Sequence, residues 1–253
     1  MLYAERKRKI LEYIHQKPSV TVTELSEIFS VSGVTIRKVL NELSKEGKIE
    51  RTHGGALNIS PSQHEEIESA KEVVNSDFKS EIAEKTLRFI IPGDSIIIDA
   101  GSTTLELAKK IVENQIYNLT IITNAFNIAE IFRENNKYNL IFLGGQYRQG
   151  ILSCVGPLTL STLNTLHADK CFLGANGISL EFGFTTPNIL EAEVKKAMIR
   201  NSSESFMLAD STKISNVFLS KIADISSIDF LICDSSLKPE LRSQLLTLGI
   251  NVK

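Results

Sequence analysis

Val31-Ser32-Gly33-Val34-Thr35-Ile36-Arg37-Lys38-Val39-Leu40-Asn41-Glu42-Leu43 is the stretch from which the N-terminal fold is read. Ser32 is a good N-cap, and Ile36, Val39, Leu40 and Leu43 fall on one face of the helix it opens. Gly47 is a natural residue to follow the last turn. Upstream, Thr21-Val22-Thr23-Glu24 has the spacing of a capping box, and Leu25, Ile28 and Phe29 continue it as an apolar stripe. Ser30 to Gly33 separates these two helices. Further upstream, Arg6–His15 repeats Ile10, Leu11 and Ile14 at helical spacing and is stopped by Lys17-Pro18. Downstream, Lys48–Arg51 and Ala56–Ile59 are short extended runs around Thr52-His53-Gly54-Gly55, where the two glycines are expected to supply the positive φ of a tight hairpin. Two helices joined by a short turn, then a hairpin, predict a winged helix-turn-helix over residues 1–58.

The second helix of such a pair enters a DNA major groove. With Ile36, Leu40 and Leu43 buried, a 100° step per residue turns Val34, Thr35, Lys38, Asn41 and Lys45 outward and leaves Arg37 on the flank. Ser32, Gly33, Val34, Thr35, Arg37 and Lys38 thus make the groove-facing half, and Arg51 and His53 sit on the hairpin within reach of the backbone. Residues 1–57 carry a net charge of +3 and the remainder −5, within a total of −2. A basic head on an acidic body suits a polyanionic partner. The competing reading is a small helical subdomain whose basic side chains only solvate it.

Residues 59–76 are polar, with Ser60-Pro61-Ser62 and a run of glutamates, and read as a linker. From 77 to 253, continuous apolar strand-like runs alternate with helical ones, predicting a Rossmann-like α/β domain with a mostly parallel sheet covered on both faces. Expected helices are Lys79–Ile91, the segment ending at Glu113, Ala125–Asn135, Pro157–Leu166, Asn188–Arg200 and Pro239–Leu248. Expected strands are Asp94–Asp99, Leu119–Thr123, Asn139–Leu143, Lys170–Leu173, Ser205–Leu208 and Phe230–Cys233, before a short Ile250–Lys253.

In an open sheet of this kind ligands bind beyond the carboxyl ends of the strands. Asp99 leads into Gly101-Ser102-Thr103-Thr104, where free N–H groups and hydroxyls at a helix start favour an anion. Asp99 would repel a phosphate set directly on it, so its expected part is a sugar hydroxyl or the orientation of the loop. Thr123-Asn124, Gly144-Gly145 followed by Arg148, Asn176-Gly177 and the Lys213 loop mark the other ends. Each feature alone reads equally as a capped helix or a solvated loop; together they suggest a polyol-phosphate pocket. Glu191 and Glu193, among Lys195 and Lys196, read as a solvated helix face, and Cys154 as a small buried thiol.

The 253 residues are 42% hydrophobic and 23% charged, enough for a full core. No apolar run approaches a bilayer span, and Met1–Arg8 does not open a signal peptide. Three widely spaced cysteines argue against a disulfide scaffold and for a reducing cytosol. Four histidines lack metal-ligand spacing, and no nucleotide-binding glycine fingerprint or nucleophile elbow occurs, so neither a metal nor a cofactor is expected.

Arg6…Ile10-Leu11, Val31 to Arg37, Leu43, Gly47 and Arg51-Thr52-His53-Gly54-Gly55-Ala56 resemble the DNA-binding head of the DeoR family of bacterial transcriptional regulators. Asp99 to Thr104, Thr123-Asn124, Leu143-Gly144-Gly145, Gly156, Asp169, Gly174-Ala175-Asn176-Gly177-Ile178 and Leu208 to Lys213 resemble that family's effector domain, in the family's order. The resemblance implies a cytoplasmic repressor of a carbohydrate operon that binds double-stranded operator DNA as a homodimer or larger homo-oligomer. It implies control by a phosphorylated sugar and an effector domain similar to the ribose-5-phosphate isomerase fold. Arg37-Lys38-Val39-Leu40 departs from the family's usual Arg-Arg-Asp-Leu, which points to a different operator preference. A sugar-phosphate isomerase with a regulatory head is the alternative, for which Asp99 and Glu191 are the candidate bases.

Overall fold

A computed structural model describes residues 3–14, 17, 19–45, 48–58, 74–133 and 135–253. Contacts divide the chain into two units, Met1–Ala70 and Lys71–Lys253.

The first unit contains α1 (Tyr3–Ile14), β1 (Ser19–Thr21), α2 (Val22–Phe29), α3 (Gly33–Lys45), β2 (Ile49–Arg51) and β3 (Gly55–Asn58). Its core joins Ile10 and Ile14 of α1, Leu25 of α2, and Ile36, Val39, Leu40 and Leu43 of α3 to Val20 and Ile49. Each such buried side chain stabilises the unit by about 1.5–3 kcal/mol. Val39 is fully buried, so the departure from the usual acidic position is absorbed by the core. The capping box forms as its spacing predicts: Glu24 N donates to Thr21 Oγ1 (3.1 Å) and Thr21 N to Glu24 Oε2 (3.4 Å). Ser30 takes a left-handed conformation (φ 50°) at the end of α2.

The hairpin differs from expectation in one respect. Neither Gly54 nor Gly55 has a positive φ. β1, which the sequence reading missed, pairs with β3 and sets Thr21 opposite Gly55. A Cβ on Gly55 would lie 1.9 Å from the Val20 carbonyl oxygen. The glycine is therefore required by the close approach of a third strand. Gly47 and most of the expected linker lie outside the described residues.

The second unit is built on a seven-stranded parallel sheet. Its strands are β4 (Ser95–Ile98), β5 (Leu119–Thr123), β6 (Tyr138–Phe142), β9 (Ala168–Gly174), β12 (Ser202–Leu208), β14 (Phe230–Ile232) and β15 (Asn251–Val252), in the order β15-β14-β12-β9-β4-β5-β6. Alternation along the strands feeds two cores. Ile96, Ile98, Ile121, Phe172, Phe206 and Leu208 pack with α4 (Ser76–Leu87), α5 (Ser102–Glu113) and α6 (Phe126–Phe132). Ile97, Ile122, Cys171, Leu173 and Met207 pack on the other face with α7 (Pro157–Leu163), α8 (Ile189–Arg200) and α9 (Pro239–Thr247). The chain winds outward from β4 through β5 to β6, then returns to the other side of β4 with β9. The crevice between β4 and β9 is thus the topological switch point, where this architecture leaves room for a ligand.

Two antiparallel additions were not legible. One is the hairpin β7 (Gln146–Arg148) and β8 (Ser153–Val155); the other is a sheet of β10 (Gly177–Ser179), β11 (Gly183–Thr186) and β13 (Ser220–Ala223). Strands of three or four residues are too short to display a period.

Candidate functional site

At the N-terminus of α3, Thr35 N donates to Ser32 Oγ (3.3 Å) and the two hydroxyls lie 3.0 Å apart, so Ser32 caps the helix. Gly33 is its first residue. Val34, Arg37 and Lys38 are exposed, Val34 at 73%, while Thr35 is half-buried. An isolated exposed valine beside arginine and lysine on a capped helix start is chemistry that fits base edges and phosphates. Lys38 Nζ lies 5.5 Å from the Tyr3 ring centroid. His53 is exposed at the wing tip. Arg51, expected on the hairpin within reach of the DNA backbone or an adjacent groove, is engaged inside the first unit. It is half-buried, donates Nε to Asn41 Oδ1 (3.1 Å) and donates to the Gly55 carbonyl, bracing the wing against α3.

In the second unit the switch point is held by a buried ion pair. Asp99, 2% exposed at the end of β4, pairs with Lys195 of α8, 4% exposed. Asp99 Oδ2 also accepts from Gly174 N (3.0 Å), and Lys195 Nζ donates to Gly174 O (3.0 Å). Burial pushes the Asp99 carboxyl up, and the Lys195 ammonium opposes that shift. Asp99 therefore ties β4, β9 and α8 together. A second pair, Arg148 with Glu191, joins the β7–β8 hairpin to the first turn of α8. Thr186 Oγ1 donates to Glu191 Oε2 (3.0 Å) and lies 3.1 Å from Asn176 Oδ1.

Between these pairs lies a cavity of about 10 Å³, lined by Asp99, Asn124, Ser153, Glu191, Val194 and Lys195 together with Ala100 and Ile151. That is the space of one water molecule or one hydroxyl group. Asn124 Nδ2 donates to the Cys154 carbonyl (2.8 Å), and Cys154 N returns a bond to Asn124 O (2.9 Å).

The expected residues divide by what their side chains are already doing. Thr104 and Thr123 are corrections. The Thr104 hydroxyl points at the carbonyls of Asp99 (2.7 Å) and Gly101 (2.8 Å). Thr123 Oγ1 donates to Ile98 O (2.7 Å) and accepts from Ala125 N (3.1 Å). Both are fully buried and shape their loops from within. Ser102 and Thr103 stand half-exposed at the start of α5. Gly144 O accepts from Thr159 Oγ1 (2.9 Å), and Gly145 packs so close to Thr159 that a Cβ would clash. Gly177 sits against the Asn216 backbone. Lys213 is half-exposed after β12, on a turn capped by Asp210, whose Oδ1 accepts from Thr212 N (3.1 Å). Among the described residues Lys213 makes no side-chain hydrogen bond or ion pair, and it does not line the cavity.

Glu191, expected only as a candidate base of the isomerase alternative, Lys195 and Ser153 also line the cavity, and the sequence reading placed none of them in an effector site. The signal for the first two was present: Glu191, Val194, Lys195 and Met198 fall at i, i+3, i+4 and i+7, the inward face of α8. Ser153 gave none, because its hairpin was invisible. The thiols take no part. Burial pushes Cys171 and Cys233 up to about 12, and raises Cys154. Among the described residues no group of histidine, cysteine and carboxylate side chains is placed to hold a metal.

Comparison with known proteins follows this division. Residues 6–62 match the DeoR-like helix-turn-helix domain, and residues 74–235 match the DeoR C terminal sensor domain. An uncharacterized HTH-type transcriptional regulator of Bacillus subtilis, YulB, is 38% identical over 94% of this chain and 92% of its own. A putative aga operon transcriptional repressor of Escherichia coli O157:H7 is 32% identical over 98% of this chain and 93% of its own. Among solved structures, ribose 5-phosphate isomerase A of Methanocaldococcus jannaschii aligns with a TM-score of 0.40 at 18% identity, covering 55% of each chain.

Proposed function

Because the chain belongs to the DeoR family of transcriptional regulators, we propose that this non-enzymatic repressor of a sugar-related operon has its operator affinity set by a phosphorylated sugar bound at the β4–β9 switch point. The observation that carries the reading is the buried, polar crevice at that point, framed by the Asp99–Lys195 and Arg148–Glu191 pairs. Arg148 is a planar cation suited to a phosphate, and the half-exposed Ser102, Thr103 and Lys213 offer donors at neighbouring strand ends. In this reading Asn176 and the backbone of Gly101, Gly144, Gly145 and Gly177 supply the rest of the ligand's surroundings.

A cavity of about 10 Å³ is far smaller than a sugar phosphate. Admitting more of the ligand than one hydroxyl group therefore requires the walls of the crevice to move, and the ligand gains affinity only for the arrangement in which they have done so. That difference between states is what a ligand can transmit to DNA binding, typically about 1–3 kcal/mol, or roughly 5–150-fold in operator affinity. A two-fold operator calls for a homodimer or a larger homo-oligomer. The cytoplasm is where such a protein meets DNA, and no described helix is long and apolar enough to cross a membrane.

An isomerase reading is disfavoured by the same geometry. Asp99 and Glu191, the carboxylates at the crevice, are both held by cations, and neither is a free base.

The test is a gel shift on DNA upstream of the chain's own gene, at fixed salt, titrated with ribose 5-phosphate, fructose 1-phosphate, fructose 6-phosphate and glycerol 3-phosphate. One ligand should change the shift at micromolar to millimolar concentration. A shift indifferent to every phosphorylated sugar overturns the reading.

A further inference from the structure

Two buried side-chain atoms at the cavity have no hydrogen-bond partner: Asn124 Oδ1 and Ser153 Oγ. Asn124 is 2% exposed and Ser153 fully buried, and both line the same small space. Leaving such an atom unsatisfied costs about 1–3 kcal/mol, so each requires a reason. The orientation of the Asn124 amide is fixed, because Nδ2 must face the Cys154 carbonyl to donate to it. Its oxygen is therefore the unpaired acceptor of a residue that lines the cavity, and it only accepts. Ser153 Oγ can donate and accept.

The ligand group that matches this pair within about 10 Å³, in the space one water would take, is an alcohol, which donates to Asn124 Oδ1 and accepts from the Ser153 hydroxyl. A phosphate does not match. It is too large, and it has few protons to donate at neutral pH. We infer that this cavity is a hydroxyl-reading pocket: the ligand enters with an uncharged alcohol group foremost, Asn124 and Ser153 recognise that group, and the phosphate stays outside. The inference rests on the sugar-phosphate reading above and adds the direction in which the ligand lies. It also assigns the discrimination between sugars that differ at one hydroxyl to two residues on separate elements, the end of β5 and the start of β8.

The experiment is calorimetric titration of the full chain and of Ser153→Ala with inorganic phosphate, with the four phosphorylated compounds above, and with the neutral polyols erythritol and xylitol at high concentration. Thermal unfolding of both proteins without ligand accompanies it. Ser153→Ala should weaken the phosphorylated ligand that binds by about threefold to tenfold, the size of one neutral hydrogen bond, and leave inorganic phosphate unchanged. Its unfolding temperature without ligand should stay level or rise, because an unsatisfied buried hydroxyl has been removed. Equal loss for the sugar phosphate and inorganic phosphate would place the phosphate in the pocket and overturn the inference. Unchanged sugar-phosphate affinity, or a fall of more than about 3 °C in the unliganded variant, would reduce the cavity to a structural water site. If the polyols bind the parent chain, weaken in the variant, and no phosphorylated sugar binds, the hydroxyl pocket stands and the sugar-phosphate reading falls. If nothing binds, both fall.

Discussion

Lys195 and Asp99 are each almost fully enclosed, and each is held by the Gly174 backbone as well as by the other. Removing one member of such a pair strands the other charge, whereas replacing both with apolar groups removes the problem. Lys195→Met should therefore destabilise the second unit by about 3–5 kcal/mol, less whatever Asp99 recovers by taking up a proton. Denaturant unfolding of Lys195→Met and of the double variant Asp99→Leu/Lys195→Met measures this, and the double variant should recover part of the loss. Two other carboxylates contribute to the acid limit. The Ser95 hydroxyl and N–H hold Asp169 below the usual carboxylate range. Burial pushes Asp234 up, but donation from the Ser211 and Ser236 backbones outweighs it and leaves Asp234 lowered. A carboxyl whose folded pKa is depressed contributes stability above the unfolded value of about 3.9 and loses it as pH falls through the folded value. Stability should thus decline as pH falls below about 4, and Asp234→Asn should flatten part of that decline in a series of urea midpoints against pH.

At the scale of elements, α2 and α3 carry the DNA-facing argument. Thr21→Ala removes the α2 cap and should cost the first unit about 1 kcal/mol, read by thermal unfolding. Arg37→Ala removes an exposed cation from the start of α3 without touching the core. It should lose about 1–3 kcal/mol of operator binding if it reads a base, and an unchanged affinity would take Arg37 out of the interface. These helices were legible because their caps and apolar stripes are local signals. The parallel strands were legible because burial on both faces makes them continuous apolar runs. β1, β7, β8, β10, β11 and β13 were not, since their strands of three or four residues exist by pairing with distant segments. The site was legible only in part for the same reason. Asp99 and Asn124 stood at strand ends that a parallel sheet makes predictable. Thr104 and Thr123 stood there too, yet their hydroxyls serve the backbone, and nothing local distinguishes the two cases. Glu191 and Lys195 looked solvated because charge was weighed above their place on the inward face of α8.

At the scale of the whole molecule, a DNA-reading unit and an α/β unit with a crevice at its switch point make a regulator only if the two are energetically linked. Linkage is reciprocal: whatever factor the ligand applies to operator affinity, operator must apply to ligand affinity. The most direct measurement is therefore one calorimetric titration of the phosphorylated sugar proposed above into the full chain, performed without and with saturating operator DNA at the same salt. The account predicts that operator changes the ligand's dissociation constant by the factor by which the ligand changes operator affinity, roughly 5–150-fold. A dissociation constant that is the same with and without operator would contradict it, and would leave the crevice a binding site without control over DNA.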